Sequence, residues 1–169
     1  MDLNDVLDDE LNDRERELEI ENSTSKLVKE ARIERSFIES SKYSNIFRDF
    51  GEHIQITRKM LSSAREMLKH HDGDRFEDLY FIDSVTGNIS SRTDYREKEH
   101  TVTPTKAMIQ MLKNKNRIIA IHNHPTNGIP SPDDFYACYE RKYKYGVVVC
   151  HNGSVYQYSV CGGFIATQY

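Results

Sequence analysis

The stretch over residues 119–125, Ile-Ala-Ile-His-Asn-His-Pro, constrains the fold of this chain more than any other. Its apolar start predicts a buried β-strand, and the strand ends on two histidines separated by one residue. Successive side chains of a strand point to opposite faces of the sheet. His122 and His124 therefore share one face, and Asn123 lies on the other. Two imidazoles on one face supply half of the ligands of a zinc site.

The segment Ser131-Pro132-Asp133-Asp134, which follows after a short loop, predicts the start of a helix. The serine suits the N-cap, the proline the first helical position, and the two aspartates the positive first turn. Asp134 can also supply an oxygen ligand beside the two histidines. Three protein ligands leave one tetrahedral position open, which is typical of a catalytic zinc ion. A histidine pair alone has many structural uses, but the two motifs together predict a metal site.

The sequence HNHPTNGIPSPDDF resembles the metal signature of the JAMM/MPN metalloprotease superfamily, in which HxHP, a short loop and SxxD follow one another. The HNHP form is most similar to a prokaryotic and phage-associated branch that includes RadC-like proteins. The resemblance implies one zinc ion per chain, held by His122, His124 and Asp134. It also implies that Ser131 lies near the reacting carbonyl, where it can donate a hydrogen bond to the oxyanion as well as cap the helix.

Hydrolysis at such a site also needs a carboxylate that takes a proton from water and passes it to the leaving amine. In the JAMM family this group is a glutamate just before the first core strand. The resemblance assigns the role to Glu77, which precedes a strand predicted over residues 79–83. Glu66 and, less favoured, Glu52 are the alternatives as general base. The other interpretation of Glu77 is a surface acid flanking a strand.

The predicted function is that of a zinc-dependent metallopeptidase or isopeptidase that cleaves a peptide or isopeptide bond in a protein, with a ubiquitin-like tail among the candidate substrates. Two alternatives stay open. A nucleic-acid-associated role, by resemblance to RadC-like proteins, is permitted only weakly by a net charge of +4 over residues 23–169, and nucleic acid is not the expected partner. This role predicts salt-dependent binding to a basic face. A non-catalytic scaffold of the MPN type is disfavoured because all three ligands are present.

The other periodicities predict an α/β fold of α+β character. Apolar residues at helical spacing predict a helix over residues 53–71, and a second helix is expected to begin with Thr103 as N-cap and Pro104 as its first residue. Further strands are expected from residue 89 onward, at 145–150 and at 154–160. Helices and strands alternate without the even spacing of a doubly wound sheet. A mixed central sheet flanked by helices is therefore expected, and the resemblance implies the same JAMM and cytidine-deaminase-like architecture.

Residues 1–22 hold ten acidic and two basic residues, a net charge of −8 in a chain whose total is −4. Four leucines fall on one helical face of this segment: Leu3, Leu7, Leu11 and Leu18. Their spacing favours a helix that docks on a partner or on a second copy of the chain, whereas the charge density favours a solvated tail. We expect an acidic, helical extension over residues 1–50 and the JAMM-like metalloprotease domain over residues 51–169.

Composition bears on the cellular context. Charged residues make up 30% of the chain, its mean hydropathy is −0.71, and no apolar run approaches the roughly 18 residues of a membrane span. The N-terminus lacks the basic and apolar regions of a signal peptide. Three scattered cysteines, Cys138, Cys150 and Cys161, form no CxxC pair, so neither a disulfide framework nor a thiolate zinc site is indicated. We expect a cytoplasmic protein that has no membrane partner.

Overall fold

The computed structural model describes residues 32–92, 102–160 and 163–169. They form one six-stranded mixed sheet and five helices, so the mixed α/β class is confirmed. The helices are α1 (Arg35–Ile38), α2 (Ser41–Arg48), α3 (Ile54–His70), α4 (Lys106–Met111) and α5 (Pro132–Arg141). The strands are β1 (Leu79–Asp83), β2 (Ile89–Arg92), β3 (Ile118–His124), β4 (Tyr145–Cys150), β5 (Val155–Ser159) and β6 (Ile165–Gln168).

The strands lie in the order β2-β1-β3-β4-β5-β6. Strands β3 and β4 are parallel, and every other neighbouring pair is antiparallel. Because two adjacent parallel strands need a crossover, α5 connects β3 to β4. A crossover helix runs back along the sheet, so its first turn starts near the edge where β3 ends. This connection brings the two sequence motifs together.

Helices cover both faces of the sheet, which explains why β3 reads as a nearly continuous apolar run. On one face, Ile119 and Ile121 pack in a core that includes α3 residues such as Met60 and Met67. On the other face, Ile118 and Ala120 pack in a second core with residues of α4 and α5. His122 continues the second set by alternation, and Asn123 continues the first.

Part of the segment expected as an N-terminal extension belongs to the core of the sheet domain. Ile38, Tyr43 and Phe47 are fully buried in the core that α3 shares with the sheet. The Tyr43 ring contacts the rings of Phe37 and Phe47 edge-on, at centroid distances of 5.7 and 5.4 Å. The acidic residues 1–22 and their leucine face lie outside the described residues.

The helix that was expected to begin at Pro104 is α4, and this prediction of its start is wrong by two residues. Thr105, not Thr103, is the N-cap of α4, and the helix begins at Lys106 rather than at Pro104. The Thr105 hydroxyl accepts a hydrogen bond from the Met108 backbone at 3.3 Å. The sequence Thr-Pro-Thr offers two capping hydroxyls, and the second one makes the bond. Helix α3, strand β1 and the β4–β5 hairpin agree with their predictions to within one or two residues at each end. Among the described residues, no helix combines the length and apolar character needed to cross a membrane.

Candidate metal centre

The end of β3 and the first turn of α5 bring the three expected ligands together. The Nε2 atoms of His122 and His124 are 3.0 Å apart. Asp134 Oδ1 lies 3.1 Å from Nε2 of His122, and Asp134 Oδ2 lies 3.5 Å from Nε2 of His124. Two imidazole nitrogens and one carboxylate thus converge on one point, with the two histidines on the same face of the strand as alternation requires.

A capping box orients Asp134. The Ser131 hydroxyl accepts a hydrogen bond from the Asp134 backbone at 3.2 Å. In return, Asp134 Oδ2 accepts hydrogen bonds from the Ser131 backbone at 2.6 Å and from its hydroxyl at 2.8 Å. The same local contacts that start the helix therefore turn the carboxylate toward the histidines. The helix-start and ligand interpretations of this motif are compatible.

The tautomer of His124 suits a metal ligand. Its Nδ1 lies 3.0 Å from the carbonyl oxygen of Gly128 in the loop between β3 and α5. A carbonyl can only accept, so Nδ1 carries a proton, and Nε2 is the nitrogen that faces His122 and Asp134. Metal-binding histidines commonly donate their other nitrogen to a carbonyl or carboxylate in this way. The donor set of two imidazoles and one carboxylate fits zinc.

The electrostatics of His122 and Asp134 are coupled. Burial alone would lower the pKa of His122, but the Asp134 carboxylate and the charge of Glu77 raise it. Burial alone would raise the pKa of Asp134, but His122, His124 and the Ser131 backbone hold it far below its ordinary value. The His122 imidazole and the Asp134 carboxylate therefore favour each other's charged form. A metal ion held here would need His122 in its neutral form, since ligands must be deprotonated.

A cavity of about 530 Å³ opens on the three ligands. Besides the ligands, its lining includes Glu77, Leu79, Ser131, Ala137, Tyr143 and Tyr158. Both residues expected to act in catalysis, Glu77 and Ser131, thus face the same space as the metal ligands. Asp133, the neighbour of the ligand, is exposed and also lies along the cavity.

The register of β1 on β3 explains the position of Glu77. Leu79 lies opposite His122 in this antiparallel pair. Glu77 is two residues before Leu79, so it shares the face that carries the histidines. It is only 7% exposed, although it lies on the segment that leads into β1. The interpretation of Glu77 as a surface acid is therefore wrong.

The structure places the two alternative bases elsewhere. Glu66 lies on α3, where burial and then the nearby Glu66 charge raise the pKa of Tyr80. The Tyr80 side chain belongs to the core on the α3 face of the sheet. Glu52 Oε1 accepts hydrogen bonds from Lys144 Nζ at 2.5 Å and from the Tyr145 hydroxyl at 3.0 Å. Neither glutamate lines the cavity that contains the ligands.

Tyr158 is a cavity residue that sequence reasoning missed. It lies on β5, is buried, and its ring centroid is 6.3 Å from that of His122. Burial raises its pKa well above the ordinary value, so it remains a neutral phenol. Gly146 lies opposite it on β4, and a Cβ there would be 2.0 Å from the Tyr158 ring. A glycine inside the strand sequence YGVVVC is the signal that could have indicated this close approach.

A second group of histidines lies near the strand β1, on the α3 side of the sheet. His70, His71 and Asp78 have potential ligand atoms within 4.8 Å of one another. Both nitrogens of His71 contact carboxylates, Nε2 at 2.9 Å from Asp78 and Nδ1 at 2.9 Å from Asp74. This is the arrangement of an imidazolium between two carboxylates, and it ties the end of α3 to the segment before β1.

Comparison with protein-family models, curated proteins and solved structures gave no match to this chain. Its family and its function are therefore proposals that depend on the motif and on the geometry of the site.

Proposed function

We propose that this chain is a zinc-dependent metallopeptidase or isopeptidase of the JAMM/MPN type. The observation that carries the proposal is the convergence of His122, His124 and Asp134 in a cavity that a buried glutamate also lines. A mixed sheet with helices on both faces is compatible with the JAMM-like fold that the motif implies. The bond cleaved would be a peptide or isopeptide bond in a protein.

The two histidines and Asp134 would hold one zinc ion, leaving the cavity side of the centre for water and substrate. Bound there, zinc would lower the pKa of a water molecule and polarise a carbonyl group. The ligands come from a strand end and a helix start, two rigid elements. Their mutual positions are therefore set before any metal binds.

Glu77 is the group proposed to move the proton. Glu77 lines the cavity together with the ligands, and its charge raises the pKa of His122. A carboxylate in this place can accept a proton from the attacking water and deliver it to the leaving amine. Burial excludes competing solvent from the carboxylate and strengthens its electrostatic interaction with the developing charge.

Ser131 has two roles to reconcile. Its single hydroxyl proton is donated to Asp134 Oδ2 in the structure, while its oxygen caps α5. To stabilise an oxyanion, the hydroxyl must turn this proton from the carboxylate to the substrate oxygen. A carboxylate that serves as a metal ligand holds such a proton less strongly, because part of its charge is neutralised. With Asp134 serving as a metal ligand, the Ser131 hydroxyl would therefore turn its proton toward a substrate oxygen more readily.

The test uses the zinc-loaded full chain and a cell extract as substrate mixture. New amino groups are labelled and identified by mass spectrometry, because peptide cleavage releases α-amines and isopeptide cleavage releases lysine ε-amines. We expect Glu77→Gln to retain one zinc ion and to lose activity by a factor of ~10² or more. Glu66→Gln is the matched control and should cleave like the wild type.

Two results would contradict the proposal. One is an identical set of new amines from the wild type and Glu77→Gln. The other is a wild-type chain that holds zinc and releases no amines from the extract, which would support the non-catalytic scaffold instead.

A further inference from the structure

Asn123 is the residue between the two histidine ligands, and its side chain is fully buried on the opposite face of β3. Its Nδ2 donates a hydrogen bond to the carbonyl oxygen of Phe76 at 3.0 Å. Its Oδ1 accepts one from the backbone N–H of Asp78 at 2.7 Å. These two groups belong to the peptide units on either side of Glu77. One side chain therefore holds the backbone both before and after the proposed base.

These two hydrogen bonds take the place of backbone hydrogen bonds between strands, because the segment before Leu79 is not yet paired with β3. Strand β1 starts at Leu79, so Asp78 lies opposite Asn123 only by extension of the register. The amide binds the backbone at both ends of the segment over residues 76–78. With it, the φ and ψ angles at Glu77 are restrained from both sides, and its Cβ must point to the metal-facing side.

The segment is also braced from the α3 side. Asp78 contacts His71 at 2.9 Å and His70 at 3.0 Å, and His71 and Asp78 are both buried. Asp74 contacts His71 and accepts a hydrogen bond from the Phe76 backbone at 3.0 Å. The residues that flank Glu77 are thus held by groups that never enter the cavity. This arrangement is typical of a preorganised catalytic side chain.

We propose that Asn123 is a positioning residue that sets the Glu77 carboxylate relative to the metal ligands. The inference rests on the proposed function, since it assumes that Glu77 is the base. In physical terms, strand β3 sets the positions of both the metal ligands and the base. His122 and His124 lie on one of its faces, and Asn123 on the other face holds the backbone around Glu77.

The experiment compares Asn123→Leu with the wild type and with Glu77→Gln in the full-length protein. Leucine has the same branched arrangement of side-chain heavy atoms and makes neither hydrogen bond. Asn123→Ala is the second variant, and it leaves room for a water molecule at the two backbone groups. It replaces Asn123→Leu in the comparison if the leucine variant does not fold. Thr57→Val is the matched control, because it removes the hydrogen bond that another buried side chain, Thr57 on α3, donates to the Glu52 carbonyl away from the cavity.

Three quantities are measured. Zinc content shows whether the ligands still converge. The pH midpoint of the visible absorption of the cobalt-substituted protein reports protonation close to the metal and needs no substrate. The rate of amine release from the cell extract reports turnover.

We expect Asn123→Leu to hold one zinc ion per chain, as the wild type does. Its cobalt midpoint should move in the same direction as in Glu77→Gln and at least half as far. Its amine release should fall by about tenfold or more, a loss of the size that misplacing a reacting group can cause. The double variant with Glu77→Gln should be no slower than Glu77→Gln alone, because Asn123 acts only through Glu77. Thr57→Val should leave the midpoint and the rate unchanged.

Several outcomes would overturn the inference. A wild-type midpoint and rate in Asn123→Leu, beside an inactive Glu77→Gln, would remove the positioning role and leave the proposed function intact. Losses that multiply in the double variant, or an equal loss in Thr57→Val, would show a general structural effect. If Glu77→Gln itself behaves like the wild type, the proposed function fails, and the inference fails with it.

Discussion

Asp133 and Asp134 are adjacent in the first turn of α5, and the structure gives them different tasks. Asp134 directs its two oxygens at the histidines, at 3.1 and 3.5 Å, and its side chain is 16% exposed. Asp133 is exposed at the cavity rim. Asparagine preserves the shape of either residue and removes its charge, so Asp134→Asn and Asp133→Asn form a matched pair.

The expected magnitudes follow from these contacts. Losing an outer partner of a metal ligand typically costs ~10–100-fold in affinity, so replacing one of three ligands should cost ~10²-fold or more. A 10²-fold loss of zinc affinity corresponds to about 2.7 kcal/mol of binding free energy. Asp133 interacts favourably with the helix dipole, which is worth ~0.3–1 kcal/mol of stability. Removing the Asp133 charge in Asp133→Asn should therefore change zinc affinity by less than about fivefold.

The assay is a competition titration with a fluorescent zinc chelator, accompanied by urea unfolding of the metal-free proteins. At neutral pH, metal-free Asp134→Asn should also be the less stable variant. The pKa of Asp134 is lowered on folding, so its contribution is present above its ordinary titration range and is lost as the pH falls. Normal zinc affinity in Asp134→Asn, together with loss of binding in Asp133→Asn, would refute the register of the motif and the geometry derived from it.

Three further predictions follow from the sequence and the structure. The purified protein should contain one zinc ion per chain by elemental analysis, and the His122→Ala/His124→Ala double variant should contain none; full retention of zinc would remove the site. Deletion of residues 1–22 should leave folding and zinc content intact while changing partner binding or oligomeric state, as measured by light scattering, and a truncated chain that cannot fold would indicate that the segment completes the core. Burial alone would lower the pKa of His71, but hydrogen bonds to two aspartates raise it above its ordinary value. Its contribution to stability is therefore complete below about pH 6.5 and is lost as the pH rises through the raised pKa. Urea unfolding of His71→Gln should accordingly differ most from the wild type at pH 5–6.5, and a difference that grows with rising pH would contradict this assignment.

The parts of the fold that were predicted from sequence are those determined by local contacts. Helix α3 has an apolar stripe at helical spacing, and β1 and β4 are apolar runs between turns. The start of α5 depends on Ser131, Pro132 and Asp134, which lie within one turn. Such features depend little on distant residues. The ligand set could therefore be proposed from two short motifs.

The features that were missed depend on distant partners. Strand β6 is exposed along its whole length and shows no apolar alternation, and its place is set by pairing with β5. Tyr158 reaches the cavity only because β4 and β5 form a hairpin beside β3. Neither of these is visible in the spacing of residues along the chain.

The choice of general base shows why register, rather than sequence adjacency, limits such predictions. Glu77 and Asp78 are both acids just before β1, and a slip of one residue between β1 and β3 would exchange their faces. In that slipped register Asp78 would enter the cavity, and Glu77 would meet His71 on the α3 side. Two sets of contacts oppose the slip: Asn123 holds the backbone around Glu77, and His71 holds the Asp78 carboxylate. Which of the two acids faces the cavity therefore depends on polar contacts made on the opposite face of the sheet.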